Sequence, residues 1–238
     1  MTDPRFGPAL WPTLAAAGGI ALTVALGIWQ LNRGHEKAVL AERIKAASRD
    51  AVIELSAQDI RAEDVAWRRV EAQGHFEPEY TLFIDNRVLH GIAGYHVITP
   101  LKLGASERYV LVNRGWVAGT SSRATLPQVR TPGGVVSIVG LATVPLRRYF
   151  ELSTQVTEGN VWQNLTLERF RAAVPIAIQP VVIEQENDTG DGLKREWAAP
   201  DLGIQMHYGY AFQWFALAAA ILVFYVVSHG RKRARQPG

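Results

Sequence analysis

The sequence predicts a membrane protein in which two transmembrane helices flank a mostly antiparallel β domain, barrel- or sandwich-like, with short helices. Three observations predict it. No Asp, Glu, Lys or Arg occurs from Phe6 to Asn32, and none from Leu202 to Gly230. Each run is longer than the ~20 residues a helix needs to cross a ~30 Å hydrocarbon core. Between the runs, apolar and polar residues alternate over short stretches broken by Gly, Pro, Asn and Asp, which is a strand pattern. The resulting division is an N-terminus at 1–9, a first span at 10–31, a β-rich domain at 32–206, a second span at 207–228 and a basic tail at 229–238.

The first span carries Trp11 and Trp29 near its two ends, where interfacial aromatics belong. Its length, its weakly basic approach and Pro8 and Pro12 at its start favour a retained span over a cleaved signal peptide, whose apolar region runs to about 7–15 residues. Ala15, Gly19, Thr23 and Gly27 recur every four residues, a small-residue ridge that admits a close helix neighbour. That neighbour is either the second span or a helix of a larger membrane complex. Beyond the span, residues 32–47 read as helical, with Glu42, Lys45 and Arg49 on a charged face beside Leu40 and Ile44.

Strands are expected at 67–76, 80–87, 95–103, 109–117, 135–144, 161–165 and 178–185, with loops at 121–134 and 187–192. Residues 166–173 read as a short helix with Thr166 as N-cap and Glu168 in its first turn. His75, His90 and His96 are scattered over strand-like segments with no carboxylate or thiol cluster beside them, so they do not read as a metal site. Asn164-Leu-Thr166 matches a glycosylation sequon, a pattern common by chance. The densest feature is the strand Val110-Leu-Val, which runs into Asn113, Arg114, Gly115 and Trp116. Arg114 there can pair with a carboxylate or stack on an aromatic face, which reads first as a buried strand end with one structural arginine.

In the second span His207, Ala211 and Trp214 share one helical face, and Tyr210 flanks it. Gln213 lies about 9 Å along the helix from His207. An amide in lipid needs a partner, so Gln30 and Gln213 are expected to face each other across the two spans. An interfacial belt of His, Tyr and Trp is the competing explanation of this cluster. Arg231, Lys232, Arg233 and Arg235 follow the span directly. They put the C-terminus, and with two spans both termini, in the cytoplasm, and the domain across the membrane. The same cluster accounts for the net charge of +3 and the pI near 9.3 without invoking nucleic acid.

There is no cysteine, which excludes disulfides, thiolate-held zinc, iron–sulfur clusters and covalent c-type haem. No Walker loop, HExxH, nucleophile elbow or dinucleotide-binding glycine fingerprint occurs, so no enzyme is expected.

Six blocks, in order, resemble one family. They are Gly27-Ile-Trp29-Gln30-Leu-Asn-Arg33; Trp67-Arg-Arg-Val70 with Gly74-His-Phe76; Gly94-Tyr-His-Val-Ile-Thr-Pro-Leu101; Val110-Leu-Val-Asn113-Arg114-Gly115-Trp116; Asn160-Val-Trp162; and His207-Tyr-Gly-Tyr210-Ala-Phe-Gln213-Trp214-Phe215. Together with the two-span layout they resemble the Surfeit-locus "Surf-one" (Shy-one) family of cytochrome c oxidase assembly factors. Departures are local. Glu36-Lys37 stands where the family often has Trp-Lys, and Leu202-Gly-Ile-Gln205 replaces an Asn-rich approach to the second span.

The resemblance implies a multi-pass protein of a bacterial inner membrane with a periplasmic domain. Its implied partners are oxidase subunit I, haem a synthase and the lipid bilayer, with no nucleic acid. It implies haem a as a transient cofactor with His207 as iron ligand and Tyr210, Gln213 and Trp214 around it, and no other metal. Trp29, Gln30, Arg33 and Asn113–Trp116 become partner-facing or structural motifs. His35 is a geometric candidate for a second ligand that the family motif does not support. The alternative is a structural chaperone that steadies an oxidase intermediate without touching haem.

Overall fold

The structure is a computed structural model that describes residues 7–120, 125–146, 157–197 and 202–233. Two compact units emerge, one of residues 1–43 with 199–238 and one of residues 44–198.

The first unit is a helical hairpin. Its two helices are α1 (Gly7–Ala47) and α4 (Ile204–Arg233), both long and apolar enough to cross a bilayer. The helix expected at 32–47 is present and continues the first span without a break. The sequence turns polar at Arg33, but residues 32–47 contain no proline and only one glycine, so nothing stops the backbone ladder. A change of solvent is not a change of conformation. Of the basic tail, Arg235 lies outside the described residues.

The second unit is a nine-stranded sheet among the described residues. In chain order the strands are β1 (Ile53–Leu55), β2 (Arg69–Phe76), β3 (Leu82–Leu89), β4 (Ile92–Leu103), β5 (Arg108–Ala118), β6 (Val136–Thr143), β7 (Thr157–Glu158), β8 (Val161–Trp162) and β9 (Ala177–Gln185). Short helices α2 (Ala62–Val65) and α3 (Leu167–Ala173) complete it. The sheet order is β1-β2-β6-β9-β5-β4-β3-β8-β7, with β2 also pairing β4. That extra pairing closes β2-β6-β9-β5-β4 into a five-stranded barrel, and β3 with β8 and β7 extends from it as a flap.

The strand β4 serves both parts. Its C-terminal residues 101–103 pair with β2, while residues 92–98 pair with β3. Pairing is mostly antiparallel, as expected, but β1–β2, β3–β8 and β5–β9 run parallel. The segment expected as a strand at 161–165 supplies only Val161–Trp162, because the chain turns at once into α3. Thr166 is its N-cap, accepting from the Arg169 amide at 3.1 Å. This is the threonine of the sequon, and it is buried.

Alternation sorts the side chains. Val70, Ala72 and Phe76 of β2, Val110 and Val112 of β5, Ile138 and Ala142 of β6, and Val181 and Ile183 of β9 fill the barrel, joined by Leu101 and Leu103. A narrow barrel brings strands close, and two inward glycines allow it. A Cβ on Gly74 would meet the Lys102 carbonyl at 1.8 Å, and one on Gly140 the Glu184 carbonyl at 2.1 Å. The outer faces of β3, β4, β5 and β9 carry a second core of Leu82, Ile84, Ile98, Leu111 and Val182, closed by Phe170 of α3.

Candidate functional site

In the hairpin, the buried side of α1 is Ala16, Ile20, Thr23, Gly27, Gln30 and Gly34, in alternating steps of four and three. On α4 it is His207, Ala211, Trp214, Ala218, Ile221 and Tyr225, with the same steps. This is the seam of two helices packed at a shallow angle. Partners run in opposite order: Thr13 meets Tyr225, Gly19 meets Ile221, Gly27 meets Phe215, Gln30 meets His207 and Gly34 meets Tyr208.

The small-residue ridge therefore receives the chain's own second helix. Its expected strict four-residue spacing holds only from Gly19 to Gly27, and Ala15 is exposed. Glycine is needed at two places. A Cβ on Gly27 would lie 2.7 Å from the Phe215 ring, and one on Gly34 would lie 2.9 Å from the Tyr208 ring.

Between those two contacts, His207 Nδ1 lies 2.6 Å from Gln30 Oε1. The expected pairing of Gln30 with Gln213 is thus corrected. The two glutamines lie on different sides of the seam, with Gln30 inside it and Gln213 on the exposed face of α4 beside Phe212. His207 and Trp214 are half-buried, Ala211 is fully buried and Tyr210 is exposed. Trp29 and His35 are exposed, and Arg33 pairs with Glu36 at 2.8 Å on the surface. Among the described residues no three His, Asp or Glu side chains group as metal ligands. His207 can offer one imidazole nitrogen, not a cage.

The Asn113–Trp116 segment lies in the other unit, at the end of β5, and each residue there has a structural reason. Arg114 continues the inward row of Val110 and Val112 and is wholly buried. It donates to Asp191 at 3.0 Å, to Thr131 at 3.0 Å and to the Arg130 carbonyl at 2.5 Å. Its guanidinium carbon sits 5.0 Å from the Phe76 ring centroid. The arginine thus makes both contacts expected of it, a carboxylate and an aromatic face.

Burial pushes the Arg114 pKa down, and Asp191 opposes that shift. Burial likewise disfavours the Asp191 charge, but hydrogen bonds from Arg195 and the Leu193 amide hold its carboxyl below the usual range. Asp191 reaches Arg114 because the chain crosses β5 at Gly115, where a Cβ would meet the Lys194 carbonyl at 2.7 Å. The crossing is pinned by the reciprocal backbone bonds of Trp116 and Lys194, 2.7 and 2.9 Å. Trp116 is buried and donates through Nε1 to the Arg87 carbonyl at 2.8 Å.

One polar group escaped the sequence reading. On the outer face of three adjacent strands, His96 of β4 and Glu184 of β9 flank Asn113 of β5. Asn113 Nδ2 is 3.4 Å from His96 Nδ1, and Trp197 packs edge-on against the His96 ring at 5.4 Å. Burial, aided by the positive charge of Arg87, pushes the His96 imidazole down to about 4. Burial alone pushes the Glu184 carboxyl up to about 7. The available signal was alternation: all three continue apolar outward-facing rows, ending in a polar residue.

Comparison with known proteins decides the lineage. The SURF1 family model matches residues 17–219, most of the chain. The chain belongs to the SURF1 family. A SURF1-like protein of Rickettsia bellii is 26% identical over 211 residues, covering 86% of this chain and 85% of that protein. Surfeit locus protein 1 of Xenopus tropicalis is 24% identical over 233 residues, covering 89% and 74%. The mouse protein of the same name is 25% identical over 218 residues, covering 84% and 70%. The SURF1 match begins within α1 and ends within α4, so it takes in the Gln30–His207 seam, the barrel and the Asn113–Trp116 segment alike.

Proposed function

We propose that this chain is an assembly factor for cytochrome c oxidase that carries haem a on His207 and assists its insertion into oxidase subunit I. Membership of the SURF1 family, whose members are known as oxidase assembly factors, carries the assembly role. The haem reading rests on the chemistry of His207. A single axial nitrogen suffices for haem iron, whereas a bare metal ion would need a cluster of ligands. His207 has one ring nitrogen engaged by Gln30 and sits beside half-buried Trp214 and exposed Tyr210. Aromatic and aliphatic side chains at the end of a span suit an apolar macrocycle with a lipid-like tail. Gln213, about 9 Å along α4 from His207, is placed to contact the cargo or a partner. The chain performs no covalent step of its own in this reading.

The protein would lie in a bacterial inner membrane with both termini cytoplasmic and the β domain periplasmic, following the basic residues that end α4 and follow it. Haem a synthase is the natural supplier. Trp29, Arg33 and exposed parts of the domain would meet these partners.

One observation favours a second reading, a chaperone that never touches haem. Gln213 is exposed on an apolar helix face, where a polar group from a neighbouring subunit's helix would satisfy it. The deciding experiment co-expresses the chain with the enzymes of haem a synthesis and records the visible spectrum of the purified protein beside His207→Ala. A haem spectrum lost in the variant is expected. A variant with undiminished haem removes His207 as ligand. Haem-free protein that still recovers oxidase subunits establishes the chaperone reading.

A further inference from the structure

We propose that Gln30 is a positioning residue that fixes the tautomer of His207, holding the proton on Nδ1 and leaving Nε2 as the nitrogen presented outward. The inference deepens the haem-carrying reading and rests on it for its purpose, but its geometry stands alone. The Gln30 amide oxygen is 2.6 Å from Nδ1, and an oxygen can only accept, so Nδ1 must donate. A neutral imidazole carries one N–H, which leaves the Nε2 lone pair free, and among the described residues the His207 side chain makes no other hydrogen bond.

Gln30 is itself held in place. It sits on α1 one turn from Gly27 and one from Gly34, where the Phe215 and Tyr208 rings of α4 lie against glycine backbone. These two contacts fix the axial register of the helices around the Gln30–His207 pair. Both side chains are half-buried in the seam, so the bond is stronger than it would be on a fully wet surface. An imidazole whose second nitrogen donates to an oxygen is also a more basic, better-oriented metal ligand. The polar residue Gln30 thus serves the seam and the ligand at once.

The test uses full-length protein in lipid nanodiscs, with histidine labelled at both ring nitrogens, at a pH where imidazole is neutral. Nitrogen chemical shifts of His207, assigned by comparison with His207→Ala, are expected to report the Nδ1–H form in the parent. They are expected to report a mixture in Gln30→Leu, and a return to Nδ1–H in Gln30→Glu, which keeps an acceptor. Identical His207 shifts in the parent and Gln30→Leu would overturn the proposal, as would an Nε2–H parent.

Titration with haem then tests the purpose. Affinity about 10–100-fold weaker in Gln30→Leu, restored in Gln30→Glu, supports the positioning role. Equal affinity in all three overturns it. A parent that takes up no haem overturns the haem-carrying reading instead, and the tautomer result still decides what Gln30 does to His207.

Discussion

Arg114 places a charge inside the barrel. It is a buried cation whose carboxylate, Asp191, is shared with Arg195, at 3.0 and 2.6 Å. Removing the shared carboxylate leaves the wholly buried Arg114 charge without compensation, so Asp191→Asn is expected to cost roughly 3–5 kcal/mol in chemical unfolding of the detergent-solubilised protein. Sequence made the arginine visible as a charge closing an apolar strand. Its partner, 77 residues away, was not visible, because only the crossing at Gly115 brings it near. His96 and Glu184 titrate in opposite senses. As pH falls from the ordinary histidine value of 6.5 to about 4, the unfolded chain takes a proton that folded His96 refuses, and stability is lost. As pH rises from the ordinary 4.5 to about 7, folded Glu184 keeps a proton that the unfolded chain releases, and stability is again lost. Each effect is roughly 1–3 kcal/mol. Glu184→Gln is therefore expected to raise the melting temperature relative to the parent by a few degrees at pH about 8, and by much less at pH about 4.5. His96→Asn should do the reverse, gaining only on the acid side. Thermal melts across pH check both.

Among elements, the helical hairpin makes the clearest demand on sequence. Gly34→Val would drive a branched side chain into the Tyr208 ring, and Gly27→Val one into Phe215. Either change is expected to push α1 and α4 apart and to weaken the bond between Gln30 and His207. The natural chain has no cysteine, so Gly19→Cys with Ile221→Cys is a clean reporter of the seam. It should form a disulfide on mild oxidation, at a rate lowered several-fold when Gly27→Val is added, as followed on non-reducing gels. Both helices were legible from the uncharged runs alone. The seam was only half legible, since a four-residue ridge drifts round a helix whereas two packed helices keep a three–four alternation. The six long strands were legible from alternation between turns. β1 and β7 were not, because two or three residues are too short to show a period, and β8 was expected three residues too long.

For the whole molecule, orientation is the open physical prediction. Alkaline phosphatase fused after residue 238 is expected to be inactive, and the same enzyme inserted in the loop at 187–192 active, if the basic residues that end α4 and follow it stay in the cytoplasm. Opposite activities would invert the proposed topology. Family membership was legible in the ordered motifs, while barrel and sandwich stayed open, because the closing contact of β2 with β4 is only three residue pairs. The position of β9 has a consequence for how the protein is made. This last strand lies between β6 and β5, and its partner Arg108 precedes Ala177 by a long stretch of chain. The ring therefore has a gap in its wall throughout synthesis of everything before residue 177. Such late, distant pairing makes folding slow. α4 starts at Ile204, soon after β9 ends at Gln185, so the second anchor is entering the bilayer at about the time the barrel can first close. Until then the unfinished chain, tethered by its first helix, exposes strand edges to proteases and to its own copies.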